Sequence, residues 1–162
     1  MATFSTGSER EALAGFLDQQ RDALIRKVQD VPDGDARRAP TASALSLLGI
    51  LRHSTLWEQR WFQGVVAGRP LADGWPEERE PIENDFLVGE DDTVDLWVAQ
   101  YQAAAAASRA VVAEMELDDP CVRGDIVDRN VRWVVLHMIE ETARHAGHAD
   151  IVRETLDGSR GT

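Results

Sequence analysis

The stretch VRWVVLHMIEETARHAGHADIVRETLD, residues 131–157, decides the fold. At about 100° per residue, Val134, Met138, Val152 and Leu156 gather on one face, the pattern of a helix packed on a core. Glu141 and His145 fall in the middle of that same face. A carboxylate one turn from an imidazole, both aimed at a core, is unfavourable unless something pairs with them. A bound divalent metal is the simplest physical answer.

Three more amphipathic stretches lie upstream. The first runs from about Ser8 to Gln29, with Leu13, Phe16, Leu17, Leu24, Ile25 and Val28 at helical spacing. A loop from Asp30 to Pro40, with two prolines and a glycine, ends it. The second covers about Ser43 to Ala67 and stops at Gly68 and Pro70. The third follows an Asp-Asp-Thr cap and covers about Val94 to Met115. The stretch quoted above, opening near Asn130 and closing at Asp157-Gly158, is the fourth. No segment of strand period and no internal repeat is present. These features predict one all-α domain over residues 1–162, a four-helix bundle.

The link from Gly68 to Asp92 is long for a helix-to-helix connection and holds Pro70, Pro76 and Pro81. A link of that length can travel the whole bundle, so helices two and three are expected to run parallel. The predicted order is up, down, down, up, with a long crossover between helices two and three. Helices two and four are then antiparallel. His53 and the Glu141/His145 pair, each near mid-helix, can then face one another at one level.

Composition narrows the partners. The formal net charge is −12 and no run of Lys or Arg builds a positive stripe, which argues against nucleic acid or an anionic membrane surface. The acidic excess reads as a solvated surface. The one cysteine, Cys121, cannot form an intramolecular disulfide, and its Asp-Asp-Pro-Cys loop makes it a poor nucleophile. No apolar run approaches the roughly 18 residues of a membrane span, and the start shows no leader pattern. The expected setting is the cytoplasm.

His53 stands in LRHSTLWE on helix two, beside Ser46, Ile50 and Trp57 at the edge of the apolar face. Alone it reads as a core-edge histidine. With Glu141 and His145 it completes a two-His, one-carboxylate set, which leaves coordination positions open as catalytic sites do. The Glu-x-x-x-His spacing also occurs as a simple helix-stabilising pair, so spacing alone leaves both readings open. His148, one turn further on, reads as a rim group or a group behind the ligands, with a fourth ligand as the alternative. His137 is expected at the outer edge in a structural role, and Glu140 in solvent. Glu58 falls on the apolar side of helix two, which predicts a buried ion pair with Arg144 or Arg132, a catalytic acid being the minor alternative. Trp57 and Trp61 lie one and two turns past His53, as core or as an aromatic pocket wall.

The segments SLLGILRHSTLWEQRWF (46–62) and RWVVLHMIEETARHAGHADI (132–151) resemble the DinB/YfiT-like superfamily of metal-binding four-helix proteins. The resemblance is nearest to the actinobacterial branch related to mycothiol-dependent maleylpyruvate isomerase, and it extends over essentially the whole chain. It implies one ligand from the second helix and two from the fourth, which falls on His53, Glu141 and His145. Where many relatives have Gly-Gln after the last ligand, this chain has Gly147-His148. The resemblance further implies a divalent ion, typically zinc, that activates a thiol such as mycothiol or bacillithiol for attack on a small electrophile. Nickel, iron or manganese would also suit such a donor set. The expected function is thus a metal-dependent thiol S-transferase, with Trp57, Trp61 and His148 on the substrate side. Hydrolysis at the same site, or a non-catalytic metal-binding bundle in a stress or interaction role, are the alternatives. A homodimer fits the resemblance, although no residue demands it.

Overall fold

Ser8 opens the first helix with a capping box: its hydroxyl accepts from the Glu11 amide while the Glu11 carboxylate accepts from the Ser8 amide. The computed structural model describes residues 7–72, 75 and 82–160. Helix α1 spans Glu9–Val28, and α2 is a single turn, Asp33–Ala36. Helix α3 spans Leu47–Gln59 and runs without a break into a π-helical segment, Arg60–Val66. A 3-10 turn, Ile82–Phe86, lies in the crossover. Helix α4 spans Val94–Glu114 and α5 spans Val131–Asp157. The described residues form no strand, only an isolated bridge between Pro120 and Asn130.

The side chains of Ser46, Thr93 and Asn130 each accept the amide three residues on, which fixes where α3, α4 and α5 begin. The second helix therefore starts at Leu47 and not near Ser43, because Ser46 turns its hydroxyl to the Gly49 amide. Gly158, at φ 76°, closes α5 in the left-handed region. The π-helical segment is the other departure from the expected regular helix. Its last carbonyls are not left open: Val65 and Val66 accept from the amides of Arg123 and Val122 in the α4–α5 loop.

Chain direction follows from which ends pack together. One core cluster joins Leu24 and Val28 of α1, Leu47 and Leu51 of α3, Val94 and Trp97 of α4, and Ala149 and Val152 of α5. The other joins Leu17 of α1, Phe62 and Val65 past α3, Val111 of α4, and Val131 and Val134 of α5. Helices α1 and α5 therefore run together, and α3 and α4 run opposite to them. The crossover from Gly68 carries the chain back along the bundle to the start of α4. Of its prolines, Pro76 and Pro81 lie outside the described residues. No helix among the described residues is long and apolar enough to cross a membrane.

Between the two apolar clusters lies a polar waist. Glu58 is fully buried and pairs with Arg21 of α1, itself 3% exposed. The expected partners of Glu58 were Arg144 and Arg132, and the structure corrects this. Arg132 pairs with Glu9 and Asp118 at the start of the bundle, and Arg144 pairs with Glu140 and Glu141 on its own helix. The reason is geometric: α1 lies along the inner side of α3 at the height of Glu58, so Arg21 reaches it through the core.

Candidate functional site

At the waist, α3 and α5 leave a cavity of about 300 Å³ between them. His53, Ser54, Trp57 and Trp61 line it from the α3 side, and His137, Met138, Glu141, Thr142 and His145 from α5. The antiparallel packing of α3 and α5 brings these mid-helix positions to one level. The His53 and His145 rings lie 4.7 Å apart, nearly edge to face at 67°. Glu141 Oε2 is 3.8 Å from His145 Nε2, one turn away along α5.

Both imidazoles are forced toward the neutral form. Burial, and then the neighbouring His145 ring, hold His53 down at about 3. Burial also holds His145 down at about 4, against the opposing pull of Glu141. Neutral imidazole is the form with a lone pair to donate to a metal or a proton. The metal-free protein should keep its thermal stability above about pH 6.5, the unfolded histidine value, and lose it as pH falls toward the folded values. Below that point the unfolded chain binds protons that the folded rings refuse, so the sign is destabilising on acidification. Thermal melts of wild type and His145→Leu at about pH 7 and about pH 5 check this. A wild-type drop no larger than that of the variant would contradict it.

The donor set suits a divalent ion in kind. His53 and His145 each bury an Nδ1 with no hydrogen-bond partner among the described residues, and the Ser54 hydroxyl is likewise unpartnered. Buried polar atoms left so are unfavourable, and a ligand in the cavity would relieve some of that. The third donor is not poised. Arg144 holds the Glu141 carboxylate through a close ion pair and also reaches Glu140 at 2.8 Å. Among the described residues, no three His, Cys, Asp or Glu side chains already stand in coordinating geometry. Glu141 would have to turn from Arg144 toward the two rings.

The far end of the cavity is aromatic. Trp61 packs edge-on to His137 at 4.7 Å, and His137 stacks on Trp133 at 5.0 Å and 10°. Trp75 of the crossover meets Trp57 and Trp61 nearly perpendicularly, at 6.0 and 6.4 Å. His137, expected at the outer edge, thus lines the cavity, and the i, i+4 spacing from Trp133 was the available signal. His148 is not among the lining residues; its ring lies 5.7 Å from that of His145. Phe86, stacked on His53 at 4.0 Å, had no signal in the sequence, because the crossover carries no helical period. Cys121, in the α4–α5 loop, is buried, and burial pushes its thiol up, away from nucleophilic use.

Residues 12–158 match the family model described as Mycothiol-S-transferase. The chain belongs to that family. Membership of the mycothiol-S-transferase family agrees with the DinB/YfiT-like resemblance of residues 46–62 and 132–151. No curated protein matches the chain. Among solved structures, the crystal structure of a conserved protein from Enterococcus faecalis superposes with a TM-score of 0.66 at 16% identity. It covers 95% of this chain and 100% of that one. At that identity the likeness speaks for the fold alone.

Proposed function

We propose that this chain is a metal-dependent S-transferase that joins a low-molecular-weight thiol, mycothiol in the first instance, to a small electrophile. The observation that carries this reading is the pair of neutral, buried imidazoles, His53 and His145, at the base of an aromatic-walled cavity in a mycothiol-S-transferase family member. His53, His145 and Glu141 would hold the ion, zinc being the first candidate. When bound, such an ion supplies the Lewis acidity that lowers the pKa of a coordinated thiol from its free value of about 8.5.

The other residues prepare the setting. Trp57 and Trp61 line the cavity beside His53, exclude water and offer flat apolar surface to the electrophile. Arg144 holds the Glu141 carboxylate, which would have to leave that ion pair to join the two rings at an ion. Thr142 and Ser54 add hydroxyls to an otherwise apolar lining. His148 stands outside the cavity lining with its ring edge-on to that of His145 at 5.7 Å, and is read as a packing neighbour of that ligand.

The experiment is a thiol panel of mycothiol, bacillithiol and glutathione with a haloarene or an epoxide, run on metal-loaded and chelated protein. The expected result is conjugation that needs both thiol and metal and is fastest with mycothiol. His148→Ala should retain the metal and lower the rate. No metal-dependent rate with any thiol would remove the transferase assignment, leaving the fold and the cavity as described.

A further inference from the structure

The crossover turn Ile82–Phe86 lies along one face of α3 and the start of the π-helical segment, where Gly49, Arg52, His53, Trp57 and Arg60 recur at helical spacing. Each of these residues touches the turn. Arg52 Nη1 donates to the carbonyls of Asn84 and Asp85 at 3.1 and 2.7 Å. Asp85 takes both guanidinium nitrogens of Arg60, one of them at 3.2 Å, and accepts from the Trp57 indole N–H at 3.1 Å. Arg60 in turn lies over the Trp57 ring, 4.9 Å from its centre. The next residue, Phe86, stacks face-on over His53 at 4.0 Å and 12°. Gly49 lets the turn come this close, since a Cβ there would collide with the Phe86 carbonyl oxygen.

A metal-ligating histidine is ordinarily oriented by a hydrogen bond from its second ring nitrogen. Among the described residues neither ring nitrogen of His53 has a hydrogen-bond partner, so no such bond orients it. Its ring plane is set by stacking on Phe86. Phe86 is set by the residue before it, whose carboxylate and backbone are held at several points. The same carboxylate takes up the only polar atom of the Trp57 ring and fixes the plane of that indole.

We propose that Asp85 is a positioning residue for both halves of the site. Through Phe86 it orients His53, and through the indole hydrogen bond it orients Trp57. The proposal rests on the reading of His53 as a ligand and Trp57 as the electrophile wall. A helix-embedded site thus takes its alignment from a short turn outside the bundle.

Asp85→Ala and Asp85→Asn test it, with cobalt(II) as the metal probe. In metal-free wild type the His53 ring protons should be shifted upfield by the Phe86 ring current. In Asp85→Ala they should return to the ordinary range. Trp57 emission should move to the red and become more quenchable by acrylamide, a Trp57→Phe control identifying its share. Cobalt(II) affinity should fall roughly 10–100-fold with a changed visible spectrum. Asp85→Asn should lie between, because the amide oxygen still accepts from Trp57. Unchanged His53 shifts and Trp57 emission in Asp85→Ala would overturn the proposal. Cobalt(II) affinity and spectrum equal to wild type, with the stack demonstrably lost, would do so too. If Asp85→Ala fails to fold, Phe86→Leu keeps the ion pair and removes the stack, and wild-type cobalt(II) affinity in that variant is again contrary. His53→Ala separates the two ideas. If it binds cobalt(II) as wild type does, the ligand reading fails, while the His53 ring shifts and the Trp57 emission of Asp85→Ala still decide the positioning of those two residues.

Discussion

Protein purified without a histidine tag should carry about one divalent ion per chain, and His53→Ala and His145→Ala should lose it. The expectation follows from two neutral rings 4.7 Å apart whose buried Nδ1 atoms have no hydrogen-bond partner among the described residues. Glu141→Gln should weaken retention without abolishing it, because it withdraws one negative charge from the donor set. Ligand binding to the folded state alone stabilises by about 2.7 kcal/mol when the free ion stands at about 100 times its Kd. For a chain of this size that amounts to roughly 5–10 °C in melting temperature, to be lost on chelation. Elemental analysis and melts of wild type and both alanine variants decide the matter. Equal metal content in all three would exclude His53 and His145 as ligands.

Arg21→Met should destabilise the metal-free protein by roughly 3–5 kcal/mol, a fall in melting temperature on the order of 10 °C. Glu58 is fully buried, and removing Arg21 leaves its carboxylate without an ion-pair partner among the described residues. Glu58→Leu should be milder, because Arg21 keeps Asp18 at 2.7 Å. The double variant, Arg21→Met with Glu58→Leu, should recover most of the loss, since it replaces the pair by apolar volume and leaves no unpaired charge. Denaturant melts of the three variants measure this. A double variant as unstable as Arg21→Met would show that the pair is more than the sum of its desolvated charges.

The sequence made part of this legible. His53, Glu141 and His145 were found together because helical period assigns each a face, and two antiparallel helices put those faces at one height. Trp57 and Trp61 followed from the same period, and both line the cavity. A wheel gives a face but not the neighbour across it. Glu58 was therefore recognised as a buried, paired acid while its partner was misassigned. Arg21 was in view all along, between Leu17 and Leu24 in the apolar stripe of α1. The grip of Arg144 on Glu141 was also present as an i, i+3 pair, unweighed against the metal. Phe86 and Asp85 were out of reach, because a turn without period gives no clue to which helix it lies against. The π-helical segment was equally hidden, since no residue type compels it.

The polar waist has a consequence for how the helices find their alignment along the bundle axis. Four helices lined with Leu, Val and Ala can slide past one another by a turn and still bury hydrocarbon, so apolar packing alone discriminates poorly between such offsets. Here Arg21 on α1 and Glu58 on α3 are buried against each other, and Thr142 and His145 on α5 are buried beside the cavity between the two apolar clusters. Slipping α1 by one turn, about 5.4 Å, would carry the guanidinium away from Glu58 and press both charges against side chains that cannot answer them. A single buried polar position is enough to set the register of a coiled coil, at some expense in stability. The layer that holds the candidate site therefore also acts as the index mark by which α1, α3 and α5 are brought into step.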